Sequence, residues 1–483
     1  MHFHFVRSIR EIAIRGIAVC SVAGCSVLLI ACAAKPPESQ MLKVEQMAPN
    51  SWSATKEGKA GVDRDWVASF KDKQLSNLVD EAMARNTDMR AQAERVAQAR
   101  QNAYLAGAAA RPTLAAEING DRSQRQFVGF PFGGSSIQNG SYADLRMNWE
   151  IDLWGRIRMG QTAAISDAQA AELDQKAAEA ALAAEVCKAW FALGEAGEQL
   201  ELAQEVVRIR KSSVESIADR FERNLGGEGG SASQLRLAQT DLATAESLVS
   251  QRMSDMALAK RRLELLCGRY PEGKLKGSNA LTKMPKSPPS GVPSSLLQRR
   301  PDVVAAERRY AAAVSRVKEA KRAIFPIISL TGSYGTASDA LEQIVNNNFS
   351  TWSIGGTLVQ NILTGGRVKG EIELRNSKER EELAKLEGVV LKAFSEVENA
   401  LVVENWLSKR VKDMQRAYDL SKEAAKAAND DFLDGTGDVL TLLSAQRSAV
   451  DIGASLLTLK RMQLDNRVDL HLALGGEFRF KGK

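Results

Sequence analysis

The chain has 483 residues, of which 44 % are apolar and 26 % charged, so it is longer than one ordinary domain of roughly 100–200 residues. Its 65 basic and 59 acidic side chains give a net charge of +6 that is spread along the chain, which indicates no nucleic-acid partner. Two of the three histidines lie at the extreme N terminus, and this scarcity argues against metal-hydrolase or histidine acid–base chemistry. We therefore expect no catalytic residue, no metal site and no cofactor.

The N terminus has the pattern of an export signal. Three arginines precede an apolar run over residues 16–34, as in the charged and apolar regions of a secretory signal peptide. A membrane-spanning helix is the alternative. However, the run ends in Leu29-Ile30-Ala31-Cys32, which resembles the lipobox of bacterial lipoproteins. We predict that residues 1–31 are a lipoprotein signal peptide and that Cys32 is lipidated.

A second cysteine, Cys25, also follows small residues and stays open as the lipidation site. Cleavage before Cys25 would leave the apolar residues 26–30 at the start of the mature chain, which is why Cys32 is preferred. Residues 32–65 are predicted to be an extended segment after the lipidated cysteine.

The mature chain contains an internal repeat. Six residues of the first half recur 214 positions later in the same order. They are Asp88, Ala91, Arg95, Ala97, Ala99 and Pro112, which match Asp302, Ala305, Arg309, Ala311, Ala313 and Pro326. We divide the chain into a first repeat over 66–270, a proline-rich linker over 271–292, a second repeat over 293–476 and a tail over 477–483.

Each repeat is predicted to read helix, two strands, long helix, tight turn and helix. The first begins with a helix over 75–108, and its clearest strand lies over 144–153, where apolar and polar residues alternate. The apolar row consists of Leu145, Met147, Trp149, Ile151 and Leu153. The second repeat has similar rows around Ile328 and Trp352.

Such strands fit either a soluble sheet on a core or a transmembrane barrel, in which one face meets lipid and the other water. Four strands cannot close a barrel, and an open strand edge is not tolerated in lipid. A membrane location for these strands would therefore require an oligomer that shares one barrel.

The helices after the strand pairs are unusually long. Residues 157–221 and 367–432 contain no proline, and at 1.5 Å per residue each predicted helix spans roughly 100 Å. Both end in glycine-rich turns, for which helical-hairpin tips are favoured over phosphate-binding loops because neither follows a strand. The turn residues singled out are Gly226, Gly227, Gly229, Gly435, Thr436 and Gly437.

Several segments resemble TolC-like outer membrane factors, in particular the NodT-type lipoproteins of tripartite efflux systems. The resemblance rests on residues 149–156, 293–303, 325–330 and 440–448, and the Leu-Leu-Gln-Arg-Arg-Pro-Asp segment over 296–302 is the most specific. It covers the chain from about Trp66 to Gly476 in the order of the family.

The resemblance implies a fold that is mainly α with a small β part. Three copies would share one twelve-stranded barrel in the outer membrane, with four strands per protomer, above an α-barrel conduit through the periplasm. The row that includes Leu145, Met147, Trp149, Ile151 and Leu153 would face lipid. The chain would be lipid-anchored in the bacterial outer membrane and extend into the periplasm.

The resemblance also implies that the two glycine turns are periplasmic tips, which dock a membrane-fusion adaptor and constrict the pore. The constriction candidates are Asp434, Asp438, Leu440 and Ser444. Ser444 departs from the family, which often has an acidic residue there. For the aspartates and Leu440, solvated helix-end charges and a packed hairpin leucine stay open as alternatives.

The expected function is a passive exit duct for drugs or other toxic small molecules, coupled through the adaptor to an inner-membrane pump of the RND type. A duct for metal-ion efflux or type I secretion is the alternative, followed by a periplasmic coiled-coil adaptor. The cargo, the cognate adaptor and the cognate pump are not specified by the sequence.

Overall fold

The computed structural model describes residues 41–54, 65–126, 134–222, 232–277, 280–291 and 293–476. This part of the chain is mainly helical and contains one four-stranded antiparallel sheet. Its helices are α1 Leu42–Glu45, α2 Lys73–Arg85, α3 Thr87–Ala108, α4 Arg156–Glu222, α5 Ala232–Leu266, α6 Pro293–Arg299, α7 Pro301–Arg322, α8 Arg367–Asp434 and α9 Val439–Ala473. Its strands are β1 Thr113–Gln126, β2 Ser135–Glu150, β3 Ile327–Ser338 and β4 Ser350–Val359.

The element order confirms two structural repeats, α3-β1-β2-α4-α5 and α7-β3-β4-α8-α9. One predicted helix, over 75–108, is two helices that meet at Asn86. The backbone of Asn86 is extended at ψ 132°, and its side-chain oxygen accepts main-chain N–H bonds from Asp88 at 2.8 Å and Met89 at 3.2 Å. Asn86 therefore ends α2 and caps α3.

The two long helices are continuous, with 67 residues in α4 and 68 in α8, which corresponds to roughly 100 Å each. They organise one layer of antiparallel helices. On the side of the sheet the packing order is α3-α4-α7-α8, and towards the far ends it is α5-α4-α9-α8. None of the helices in the described ranges is both long and apolar enough to cross a membrane.

The main core surrounds the middle of the long helices. Trp190 on α4 is buried, and its indole N–H donates to Asp72 at 2.9 Å. The N-terminal segment 41–54, which contains α1, packs along α8, where two of its main-chain N–H groups donate to Glu398. The predicted extended conformation of residues 32–65 is therefore interrupted by a helical turn. The linker over 271–292 is attached to α4 by a hydrogen bond from the main-chain N–H of Leu281 to the carboxylate of Glu198, at 2.9 Å.

Candidate functional site: the sheet and the hairpin tip

The sheet has one apolar face, which is exposed. Leu145 lies opposite Ala116 on β1 and Tyr334 on β3, and Tyr334 lies opposite Trp352 on β4. Directly paired residues share a face, so Leu145, Met147 and Trp149 of the predicted row belong to this face. Its exposed large side chains are Leu114, Ile118, Ile137, Leu145, Tyr334, Trp352, Ile354 and Leu358.

The opposite face of the sheet is polar. Arg146 forms ion pairs with Glu117 at 2.9 Å and with Asp144 at 3.0 Å. The hydroxyl of Tyr142 donates to Glu117 at 2.8 Å. The sheet therefore separates an apolar surface from a charged one, although both lie open in the single chain.

The predicted strand over 144–153 is wrong at both ends. β2 spans Ser135–Glu150, so Ile151 and Leu153 lie in the connection to α4 and not in the strand. The physical reason at the C-terminal end is Asp152, whose carboxylate accepts two main-chain N–H bonds from the first turn of α4, at 3.1 and 2.8 Å. A residue that continues the alternation in the sequence thus serves as a helix cap.

Both layers end in open edges. Within the described residues β1 pairs only with β2, and β4 pairs only with β3. The helical layer has α3 and α5 at one edge and α8 at the other. At one edge α3 leads into β1, and at the other edge β4 leads into α8. The open edges of the sheet therefore lie on the same two sides as the open edges of the helical layer.

The turn between α8 and α9 brings Gly435, Thr436 and Gly437 together. Gly435 has φ 81°, a left-handed conformation that favours glycine. The main-chain N–H groups of Thr436 and Gly437 donate to the oxygen of Asp431 at 3.0 and 2.9 Å, which closes the C terminus of α8. At Gly437 an added Cβ would lie 3.0 Å from the Cβ of Asp431. Gly435 therefore serves the turn through its left-handed backbone, and Gly437 through its close approach to α8.

The four constriction candidates lie on or next to this turn, in different environments. Asp438 caps α9: its carboxylate accepts the N–H groups of Leu440 at 2.7 Å and Thr441 at 3.0 Å, and the Thr441 hydroxyl at 2.6 Å. These bonds, that of the hydroxyl first, hold the pKa of Asp438 below its usual value. Asp434, Leu440 and Ser444 are exposed.

The family model for outer membrane efflux proteins matches residues 78–269 and 292–476, which is most of the chain. This chain belongs to the outer membrane efflux protein family. The chain is 31 % identical over 442 residues to Outer membrane protein OprJ of Pseudomonas aeruginosa, with 88 % of this chain and 90 % of OprJ covered.

Two further comparisons agree with the family. Cation efflux system protein CusC of Escherichia coli O6:H1 is 28 % identical, with 85 % of this chain and 88 % of CusC covered. The solved structure of the outer-membrane channel OprN matches with a TM-score of 0.84 at 26 % identity, and covers 92 % of this chain and 99 % of OprN. This efflux protein therefore has the mainly helical channel fold with a small sheet in each protomer.

In this efflux protein the ends of the two long helices are joined by a residue that the sequence analysis missed. Arg220, in the last turn of α4, donates to the main-chain oxygens of Phe432 and of Leu433, the latter at 2.9 Å. Its guanidinium carbon lies 4.3 Å from the centre of the Phe432 ring. The only signal in the sequence is a basic residue near a predicted helix end.

Polar contacts near this tip also connect three helices, α4, α5 and α9. Asp241 on α5 is buried and forms an ion pair with Arg447 on α9 at 2.8 Å, while its main-chain oxygen accepts a bond from Arg210 on α4 at 2.6 Å. The other predicted residues, Gly226, Gly227, Gly229 and Cys32, lie outside the described residues.

Proposed function

We propose that this chain forms, as a homotrimer, the outer-membrane exit duct of a tripartite efflux system of the RND type. The observation that carries the proposal is the pair of open edges in both layers. An unpaired strand edge in hydrocarbon leaves main-chain N–H and C=O groups without hydrogen-bond partners. If β4 of one copy pairs with β1 of the next, a head-to-tail ring closes sheet and helices at once.

The two faces of the sheet support this arrangement. In a closed barrel the apolar face with Leu145, Met147 and Trp149 meets lipid, and the face with Arg146 lines a wet lumen. Ile151 and Leu153 continue towards the membrane boundary below the strand. The opposite orientation would place charged side chains, Glu117, Asp144 and Arg146 among them, in hydrocarbon, which is costly.

The helical edges support a ring of copies as well. Both edges carry large apolar side chains that a single chain leaves exposed, and such residues on two opposite edges are expected where neighbouring subunits meet. They are Tyr104, Leu105, Met253 and Leu258 on α3 and α5, and Leu391, Trp406 and Leu420 on α8.

The duct is passive in this proposal, and no residue has a catalytic role. The pump and the adaptor supply the energy and the signal to open. The adaptor docks at the tip formed by Gly226, Gly227 and Gly229 in one hairpin and by Gly435, Thr436 and Gly437 in the other. Asp434, Asp438, Leu440 and Ser444 constrict the pore, which widens when the long helices move apart at their ends.

Export and anchoring follow from the N-terminal pattern. Residues 1–31 are removed as a signal peptide and Cys32 is acylated. The mature chain then consists of the segment 32–65, the two repeats over 66–270 and 293–476 with the linker 271–292 between them, and the tail 477–483. Palmitate labelling of the wild type and of Cys32→Ser and Cys25→Ser tests the anchor. Loss of label in Cys32→Ser alone supports it, whereas loss in Cys25→Ser alone moves the modification to Cys25.

Two candidate functions differ in the cargo that the duct exports. Export of drugs or other toxic organic molecules is the first, and metal-ion efflux is the second, because the relative CusC is by its name part of a cation efflux system. Growth of a deletion strain on a panel of antibiotics, solvents and metal salts separates them. Sensitivity to metal salts alone would favour the second function.

The duct itself is tested on the purified full-length protein. We expect a trimer by mass in detergent and stable ion conductance in planar bilayers. A monomer without conductance would overturn the proposal.

A further inference from the structure

A charged groove lies between α4, α7 and α8, below the sheet. Its volume is about 490 Å³, which is in the range of small-molecule sites. Four basic and three acidic side chains line it together with one alanine: Asp167 on α4, Arg309, Ala313 and Arg316 on α7, and Arg375, Lys378, Glu381 and Glu382 on α8. The small Ala313 between the two arginines of α7 makes the surface concave there.

The side chains of α4 show which way the groove faces. Arg156, at the start of α4, forms an ion pair at 2.7 Å with Glu150, which lies on the polar face of β2. Gly160, Asp167 and Asp174 follow at intervals of four, seven and seven residues, so they share the face of Arg156. The groove therefore opens on the same side as the polar face of the sheet.

Contacts with α7 continue the row of charged groups across to the neighbouring helix. Asp167 forms an ion pair with Arg316, and Asp174 forms one with Arg309. An added Cβ at Gly160 would lie 2.9 Å from a carboxylate oxygen of Glu319 on α7. The charged groups thus form one continuous strip from the sheet to the groove.

The groove contains N–H groups of cationic side chains that take no part in these ion pairs. A guanidinium has five N–H groups, and Arg375 spends its Nε on Glu371 at 2.7 Å. The two carboxylates that α8 contributes to the lining, Glu381 and Glu382, both bond to Lys385, at 2.8 and 2.7 Å. Within the described residues Lys378 has no carboxylate at ion-pair distance, and its side chain is exposed.

We propose that this groove binds small organic anions with two or three carboxylates on the lumen wall of the duct. The inference rests on the proposed function, because the strip faces the lumen only if the apolar face of the sheet meets lipid. Lys378 and Arg375 hold one carboxylate from α8, and the remaining N–H groups of Arg309 and Arg316 hold another from α7. All walls belong to one protomer, so each copy in a trimer carries one site.

Calorimetric titration of the detergent-solubilised full-length protein with benzene-1,3,5-tricarboxylate tests the site. We expect saturable binding with one ligand per chain, weakened by added salt. Lys378→Glu should weaken binding roughly three- to ten-fold, as expected for reversal of one partly solvated charge. Lys378→Gln, which changes the charge less, should give a smaller loss.

Lys392→Glu is the matched control, because Lys392 lies fourteen residues further on α8, on about the same face but outside the groove. Unsaturable heats with the wild type, or equal weakening by Lys378→Glu and Lys392→Glu, would overturn the site. Conductance is measured on the same preparations. A conducting protein without binding overturns the site alone, whereas loss of conductance in the wild type contradicts the proposed function.

Discussion

Arg467 on α9 and Glu404 on α8 form an ion pair that is almost completely buried, with 3 % and 11 % of the two side chains exposed. Asn466 donates a further hydrogen bond to Glu404 at 3.1 Å, and Arg467 donates to the main-chain oxygen of Pro285 at 2.7 Å. One guanidinium therefore joins the second hairpin to the linker between the two repeats.

Glu404→Gln should destabilise the protein by about 3–5 kcal/mol, because it leaves the charge of Arg467 buried without a partner. The measurement is thermal unfolding in detergent. Arg100→Gln is the control, since Arg100 and Glu172 form an exposed pair at 2.7 Å that contributes at most about 1 kcal/mol. Equal effects of the two variants would contradict the buried pair as a major stabilising contact.

Adjacent residues of β4 test which face of the sheet meets lipid. Ile354 lies on the apolar face and is 77 % exposed in the single chain, whereas its neighbour Ser353 lies on the polar face opposite Ser333. Ile354→Arg should cost about 2–4 kcal/mol at mid-membrane depth and reduce assembly in the outer membrane. Ser353→Arg should assemble normally. The amount of trimer in membrane fractions is measured by immunoblots of unheated samples. If Ser353→Arg rather than Ile354→Arg reduced assembly, the face with Ser353 would be the one that meets lipid.

The tip aspartates can be separated from their capping role. Asparagine caps helices as well as aspartate does, so Asp434→Asn combined with Asp438→Asn removes charge but keeps the cap of α9. If the carboxylates line the pore, this double variant should weaken block of conductance by divalent cations. Asp438→Ala should instead speed hydrogen exchange at the N–H groups of Leu440 and Thr441. Unchanged block in the double variant would favour ordinary helix-end charges.

His471 predicts a dependence of stability on pH. Its ring is fully buried and stacks on Trp66 with 5.7 Å between ring centres. Neither ring nitrogen has a hydrogen-bond partner within the described residues. Burial, and then the charge of Arg467, lowers the pKa of His471 to about 4.

Because the unfolded chain binds this proton more readily, stability from His471 is complete above about pH 6.5 and is lost as the pH falls towards 4. The loss is of the order of 2–3 kcal/mol. His471→Leu should remove it, seen as a smaller drop in melting temperature between pH 7 and pH 4. Asp465 changes stability with pH in the opposite direction, because burial raises the pKa of its carboxyl group to about 6. The variant Asp465→Asn is therefore measured in parallel with His471→Leu. An identical pH profile in His471→Leu would contradict the role of the buried ring.

The absence of proline predicted both long helices to within two residues. Alternation of apolar and polar residues found β2, because it records which side chains avoid water, but placed the start of the strand nine residues too late. The apolar row at Leu145, Met147 and Trp149 is an example. The same pattern failed at Asp152, where a side-chain bond to a helix end outweighs continued alternation. It also failed at Asn86, whose capping bonds divide one helical stretch into two.

The order of the two repeats, the glycine turn at Gly435 and the two-faced strands were determined by the sequence itself, since local backbone preference and solvent exposure act within a few residues. The tertiary structure decided which distant groups meet. Glu404 and Arg467 are 63 residues apart, and Arg220 reaches Phe432 across 212 residues. The charged groove likewise exists only because three helices pack side by side. Such partners leave no local periodicity, because the free energy that pairs them arises only after the helices have packed.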